Sequence, residues 1–130
     1  MASRNPVVVT GNLAADPESF AAGDFSGVRL TVVENIEKRQ GDKWVDDEPA
    51  FWPVTVWGKA LAANVLASLR KGARVTVVGH YRNNVWEGED GNRRSRLEVV
   101  ADEVAASLQF ATATVTRTSR SDAPPLDPPF

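Results

Sequence analysis

The chain contains no cysteine, which excludes disulfides, thiol nucleophiles and cysteine-ligated metals. Its one histidine, His80, excludes a multi-histidine metal site and gives no basis for a histidine-centred triad. His80 reads instead as a strand residue at a surface or subunit contact. No apolar run approaches the roughly 20 residues of a membrane-spanning helix. The N-terminus lacks the charged-then-apolar pattern of a secretory signal. These absences predict a cytoplasmic protein with no membrane contact, no metal and no other cofactor. No spacing of Asp, Glu, Ser and the lone histidine forms a paired acid/base site, so no enzyme activity is expected.

What is present is one domain's worth of chain, 130 residues, enough for a hydrophobic core without staples. The net charge of −2 argues against a nucleic-acid partner until its distribution is considered. Residues 1–50 carry 5 basic and 9 acidic side chains, and residues 97–130 carry 2 and 5. Residues 51–96 carry 8 basic and only 3 acidic. Such a polarity suits one basic surface, although solvated charge can also divide this way without a role.

Inside the positive block lies Phe51-Trp52-Pro53-Val54-Thr55-Val56-Trp57. In a strand, Trp52, Val54 and Val56 share one face and Phe51, Pro53, Thr55 and Trp57 the other. The first set reads as core. The second, two aromatics spaced by small or polar residues, is either a further packed layer or a stacking platform for flat ligands.

The other elements are short and mostly extended. Pro6–Leu13 reads as a strand that Gly11-Asn12 breaks or bends, 14–27 as loop and turn, and Val28–Val33 as a half-buried strand. Residues 34–48, charged and carrying Trp44, predict a protruding hairpin. Lys59–Arg70 is the one convincing helix, with Leu61, Val65 (or Asn64), Leu66 and Leu69 at helical spacing and Gly72 as its stop. Arg74–Arg82 is a strand that continues to Trp86. A turn-rich tip follows, and Arg93–Ala101 returns with arginines at 93, 94 and 96. A short extra strand is predicted over Phe110–Arg117. Residues 119–130, with Pro124-Pro125 and Pro128-Pro129, read as a disordered tail after a domain of residues 1–118.

Five short strands with a helix between the third and fourth describe an all-β protein, the five-stranded Greek-key barrel of the OB fold. Trp44, Trp57 and Trp86 would then project from different strands or loops. Several aromatics along a basic groove suit a single-stranded nucleic acid, because every base offers a π-face.

The residues also carry a family resemblance. Val7 to Leu13 with Asp16-Pro17-Glu18, then Trp57-Gly58-Lys59, Leu69 to Val75, Gly79-His80-Tyr81-Arg82, and Trp86 before Asp90-Gly91 together resemble bacterial single-stranded DNA-binding proteins. Glu98-Val99 and the segment Leu108 to Arg120 resemble the actinobacterial branch. The ordered set runs from about residue 6 to 120. It implies an OB-fold homotetramer without enzyme activity that coats single-stranded DNA in replication, recombination and repair. By this resemblance Phe51, Trp57 and Trp86 stack on bases. Lys59, Arg70 or Lys71, and Arg94 contact phosphates. Trp52 is a subunit contact, and the strand containing Val115 reaches across to clamp a neighbouring subunit. Phe130, at the end of an acidic tail, docks on replication or repair enzymes.

The chain departs from that pattern in places. A further stacking tryptophan of many relatives aligns within Ile36–Arg39, where this chain has none, and Trp44 substitutes only if its hairpin folds back. Pro53, Asn84 and Val85 replace basic residues. The tail is short, keeps Asp122 and Asp127 as its acidic residues, and implies weak docking. These features resemble a short-tailed secondary paralogue. Two other readings fit an OB barrel: a protein-interaction module, and an RNA-binding domain that senses the 2′-hydroxyl.

Overall fold

The computed structural model describes residues 5–23 and 25–118. The tail from 119 to 130, with Asp122, Asp127 and Phe130, lies outside the described residues. The elements are β1 (Pro6–Leu13), β2 (Glu18–Ala22), β3 (Phe25–Glu34), β4 (Glu37–Gln40), β5 (Lys43–Asp46), β6 (Ala50–Val56), α1 (Lys59–Ser68), β7 (Arg74–Glu87) and β8 (Arg93–Ala106).

Strands β1, β7, β8, β6 and β3 follow one another in a sheet, and β1 pairs with β3 at Asn12↔Val33 and Leu13↔Val32 to close it. This is the expected five-stranded OB barrel, with α1 between its third and fourth strands and with β2 added beside β3. The β6–β8 pairing is parallel, at Val54↔Val99 and Thr55↔Val100, and the other pairings are antiparallel.

The alternation read in the sequence sets the two faces. Val28, Leu30 and Val32 of β3, Val54 and Val56 of β6, Val75 and Val77 of β7, and Val99 of β8 all point inward and are buried. The largest fully buried side chains are all valines. Each contributes about 1.5–3 kcal/mol on leaving water, and their branched, compact shape fills a narrow barrel. The tryptophans are left outside this core or at its margin. Ala62, Val65 and Leu69 of the helix region complete the core.

Four local expectations need correction. Residues 14–27, read as loop, contain β2 and the start of β3; Gly23, at φ 64°, makes the turn between them. The flanking Ser and Ala residues carry little strand signal, so only the turn was legible. Strand β1 runs through Gly11 without a break, with Gly11 buried where β3 crosses at Val33. The helix ends at Ser68, where the Leu69 N–H closes on the Val65 carbonyl; Gly72 lies in the turn beyond, and Leu66 faces solvent. The predicted extra strand over 110–117 is not formed. Residues 111–118 are exposed and lie in no strand; the extension is taken up by β8 itself, which runs on past Ala101 to Ala106. Strand β8 makes that extension by a bulge at Asp102, between the pairs Gly79↔Ala101 and Val78↔Glu103.

Candidate nucleic-acid interface

The outward face of the barrel is built by parity. With Val54 and Val56 inside, Phe51, Pro53, Thr55 and Trp57 fall on the other side of the strand, where Thr55 is nonetheless buried. With Tyr81 packed on the core, His80, Arg82, Asn84 and Trp86 of β7 lie outside. Their partners across the antiparallel ladder are Val100, Glu98, Arg96 and Arg94 of β8. Arg29, Thr31 and Val33 of β3 continue the same face beyond β6. One curved surface therefore carries Phe51, Trp57, Trp86 and Arg94, four residues that the sequence pattern selected. Phe51 is 61% exposed and Trp86 43%. Lys59, two residues past Trp57 at the start of α1, is also exposed.

The sequence reading missed Phe20 and Arg29 on this face. Phe20 on β2 pairs with Gly27, the residue before the Val28↔Val56 pair. A Cβ at Gly27 would stand 2.9 Å from the Phe20 ring and 2.8 Å from the Val56 carbonyl oxygen, so only glycine admits the ring. Phe20 meets Trp57 edge-on with ring centroids 5.1 Å apart, and the Arg29 guanidinium lies over Phe20 at 4.3 Å. Trp57 is half-buried as a result, and its indole N–H is buried without a partner among the described residues. The signal was Phe20 itself, an aromatic residue in a stretch otherwise read as loop.

Other selected residues lie elsewhere. Trp44 is 63% exposed on a separate two-stranded ribbon of β4 and β5, opposite Arg39. Arg70 donates from Nη1 to the carbonyls of Leu66 and Leu69, both at 2.8 Å, and so caps the end of the helix. Lys71 is exposed in the same turn, where its backbone N–H donates to Asp16 Oδ1 at 2.8 Å. Trp52 lies on the inner side, half-buried; its Nε1 donates to Glu34 Oε1 at 3.0 Å and its ring stacks on Tyr81 at 6.3 Å. Val115 is 92% exposed. His80 is tied through Nδ1 to Asp102 Oδ2 at 2.6 Å, which uses the extra residue of the bulge to orient the ring.

The surface can do two things chemically. Flat apolar rings at Phe51 and Trp86 offer stacking area, and Arg29, Arg94 and Arg96 offer fork-shaped donors for phosphate oxygens. The chain matches the profile of the Single-strand binding protein family over residues 4–107. It belongs to that family. It is 40% identical to the "Single-stranded DNA-binding protein" of Mycobacterium leprae over 93% of this chain and 73% of that one. A protein of the same name from Corynebacterium glutamicum is 41% identical over 88% of this chain and 52% of that one. Among solved structures, the fold matches a small single-stranded DNA-binding protein from Streptomyces coelicolor with a TM-score of 0.66, at 22% identity, over 84% of this chain and 99% of that one. It also matches the Plasmodium falciparum SSB in complex with ssDNA, with a TM-score of 0.70, at 15% identity, over 82% of this chain and 97% of that one. The arrangement of barrel, helix and hairpin is thus that of the single-strand binding family.

Proposed function

We propose that this protein binds single-stranded DNA without sequence preference and acts by binding, not as an enzyme. The observation that carries the reading is the outward face, where Phe51 and Trp86 stay exposed although the barrel core is complete without them. Membership of the single-strand binding family supports it. Bases stack on Phe51, Trp57 and Trp86, with Phe20 buttressing Trp57. Arg94, Lys59 and Arg29 take phosphates, and Arg70, Lys71 and Trp44 extend the contact where a longer strand wraps the domain. The role is coating of transient single strands in replication, recombination and repair, in the cytoplasm at the nucleoid.

The assembly we propose is a homotetramer. Trp52, at the rim of the core, packs between subunits, and the segment around Val115 pairs with a neighbouring subunit. Its exposure supports this, because Phe110 and Val115 are among the most exposed apolar residues described, and pairing with a symmetry mate would cover them in a closed oligomer. The groove of about 790 Å³ between this segment and α1, lined by Leu61, Val65, Leu69 and Val104, leaves apolar surface for that pairing. The tail with Phe130 makes a weak contact with replication or repair enzymes, since little acidic charge remains to attract a partner.

The test is fluorescence anisotropy with labelled oligo-dT, competed by duplex DNA and by oligo-U. Preference for the DNA single strand supports the proposal. Preference for RNA makes the chain an RNA reader, and no binding to either leaves the aromatic face to a protein partner.

A further inference from the structure

In the free protein Arg94 is already occupied by an anion. Its Nη2 donates to Asp90 Oδ2 at 2.9 Å. Asp90 is held in turn by Asn92, whose backbone N–H donates to Oδ1 and whose side-chain amide donates to Oδ2, both at 3.0 Å. The turn below is closed by the Gly88 N–H on the Asn92 carbonyl at 2.8 Å and the Gly91 N–H on the Gly88 carbonyl at 2.9 Å. A Cβ at Gly88 would stand 2.6 Å from Arg94 Nε and 3.1 Å from its Cδ. The missing side chain therefore lets the arginine lie across the hairpin tip. Its neighbour on the outward face is Trp86, directly across the ladder.

A carboxylate on a guanidinium presents the same anionic oxygens as a phosphate does, and the two compete for the same fork of donors. The pair is also exchangeable. Both partners are about half exposed, and an exposed ion pair holds its partners only weakly.

We propose that Asp90 is an affinity-setting residue of the strand-binding face: its carboxylate occupies Arg94 in the free protein as a backbone phosphate does in the complex, and binding exchanges one anion for the other. The proposal rests on the reading of Arg94 as a phosphate contact. The exchange lowers affinity most at low salt, where the ion pair is strongest, and fades as salt screens it. It therefore flattens the salt dependence of binding beyond what the number of phosphate contacts sets.

The test is a double-mutant cycle of Asp90→Asn and Arg94→Gln, with Glu89→Gln as a control for bare charge. Glu89 is exposed beside Asp90. Oligo-dT affinity is measured over a series of NaCl concentrations, and melting temperatures check the fold. Asp90→Asn is expected to bind about two- to fivefold tighter at low salt, the fold-change matching an exposed pair, with the gain shrinking as salt rises. Arg94→Gln is expected to weaken binding, and adding Asp90→Asn to it to give no more than Glu89→Gln gives. Weaker binding by Asp90→Asn overturns the proposal, because Asp90 would then position Arg94 rather than occupy it. An equal gain with and without Arg94 also overturns it, as a bare charge effect. If Arg94→Gln binds as wild type does, the phosphate reading of Arg94 fails and the exchange fails with it. If Arg94→Gln is weak while Asp90→Asn equals wild type, the exchange alone fails.

Discussion

Removing the Phe20 ring tests how much of the interface depends on a residue outside the buried core. In Phe20→Ala, Trp57 loses its edge-on neighbour at 5.1 Å and Arg29 the ring beneath its guanidinium at 4.3 Å. An aromatic pair of this geometry is worth about 0.5–1.5 kcal/mol and a solvent-facing cation–π contact about 0.5–1 kcal/mol. Together they predict a loss of about 1–2.5 kcal/mol, or roughly 4–10 °C in melting temperature for a domain of this size. The binding effect follows from Trp57, which would keep its place in the chain but lose the wall that fixes its ring. A stacked base is worth about 1–3 kcal/mol, so loss of part of that stack lowers oligo-dT affinity about threefold or more. Thermal melting followed by circular dichroism and anisotropy titration read the two effects separately. Phe20→Leu, which keeps apolar bulk without the aromatic face, should recover part of the melting temperature and little of the affinity. If Phe20→Ala melts and binds as wild type does, Phe20 neither buttresses Trp57 nor belongs to the interface.

Three further predictions concern charge, assembly and the hairpin tip. Pro53 and Asn84 bring no charge to the outward face, so the log–log salt slope, about −0.7 per phosphate contact on single strands, should be shallower than that of the Mycobacterium leprae relative measured alongside; an equal slope would mean that Arg29 and Arg96 compensate. Deleting residues 109–130 should lower tetramer stability on heating or dilution while deleting 119–130 should not, as read by melting and by light-scattering mass; unchanged mass and melting in both would remove the clamp. The Asp90 carboxyl is held below the ordinary 3.8, chiefly by the Asn92 backbone N–H, then by the Asn92 amide and Arg94. Its contribution to tip order is therefore present above that ordinary value and lost as pH falls through the lowered one; an NMR titration should show a midpoint below 3.8 that rises in Asn92→Ala, and an unmoved midpoint would refute the assignment.

The barrel was legible because its strands alternate. Val28-Arg29-Leu30-Thr31-Val32 and Trp52-Pro53-Val54-Thr55-Val56 each declare an inner and an outer side, and the structure keeps both. Of the two readings of Phe51, the packed layer fails, because the buried cluster of valines, leucines and alanines is complete without it and the ring is exposed. Trp57 follows the packed-layer reading in part: on the outer side of the strand, it is half-buried against Phe20. That contact was not legible, since it joins residues 37 positions apart through a glycine whose role is only to be absent. The short β2 was hidden by its serine and alanines, and the bulge at Asp102 has no local sequence mark. The segment after Leu108 reads as strand because its threonines and Val115 favour one, but propensity alone makes no ladder, and the strand ends at Ala106. Arg94 was legible as a candidate cation; its pairing with Asp90 depends on turn geometry that sequence spacing does not encode.

The account's central claim is that the outward aromatics hold the strand, and oligo-dT affinity of Trp57→Ala, Trp86→Ala and the double variant measures it most directly. With stacking worth about 1–3 kcal/mol per base, each single variant should bind about tenfold more weakly or worse and the double weaker still, with tryptophan fluorescence of the wild type falling as oligo-dT is added. A double variant that is folded by circular dichroism and binds oligo-dT with wild-type affinity would contradict the claim.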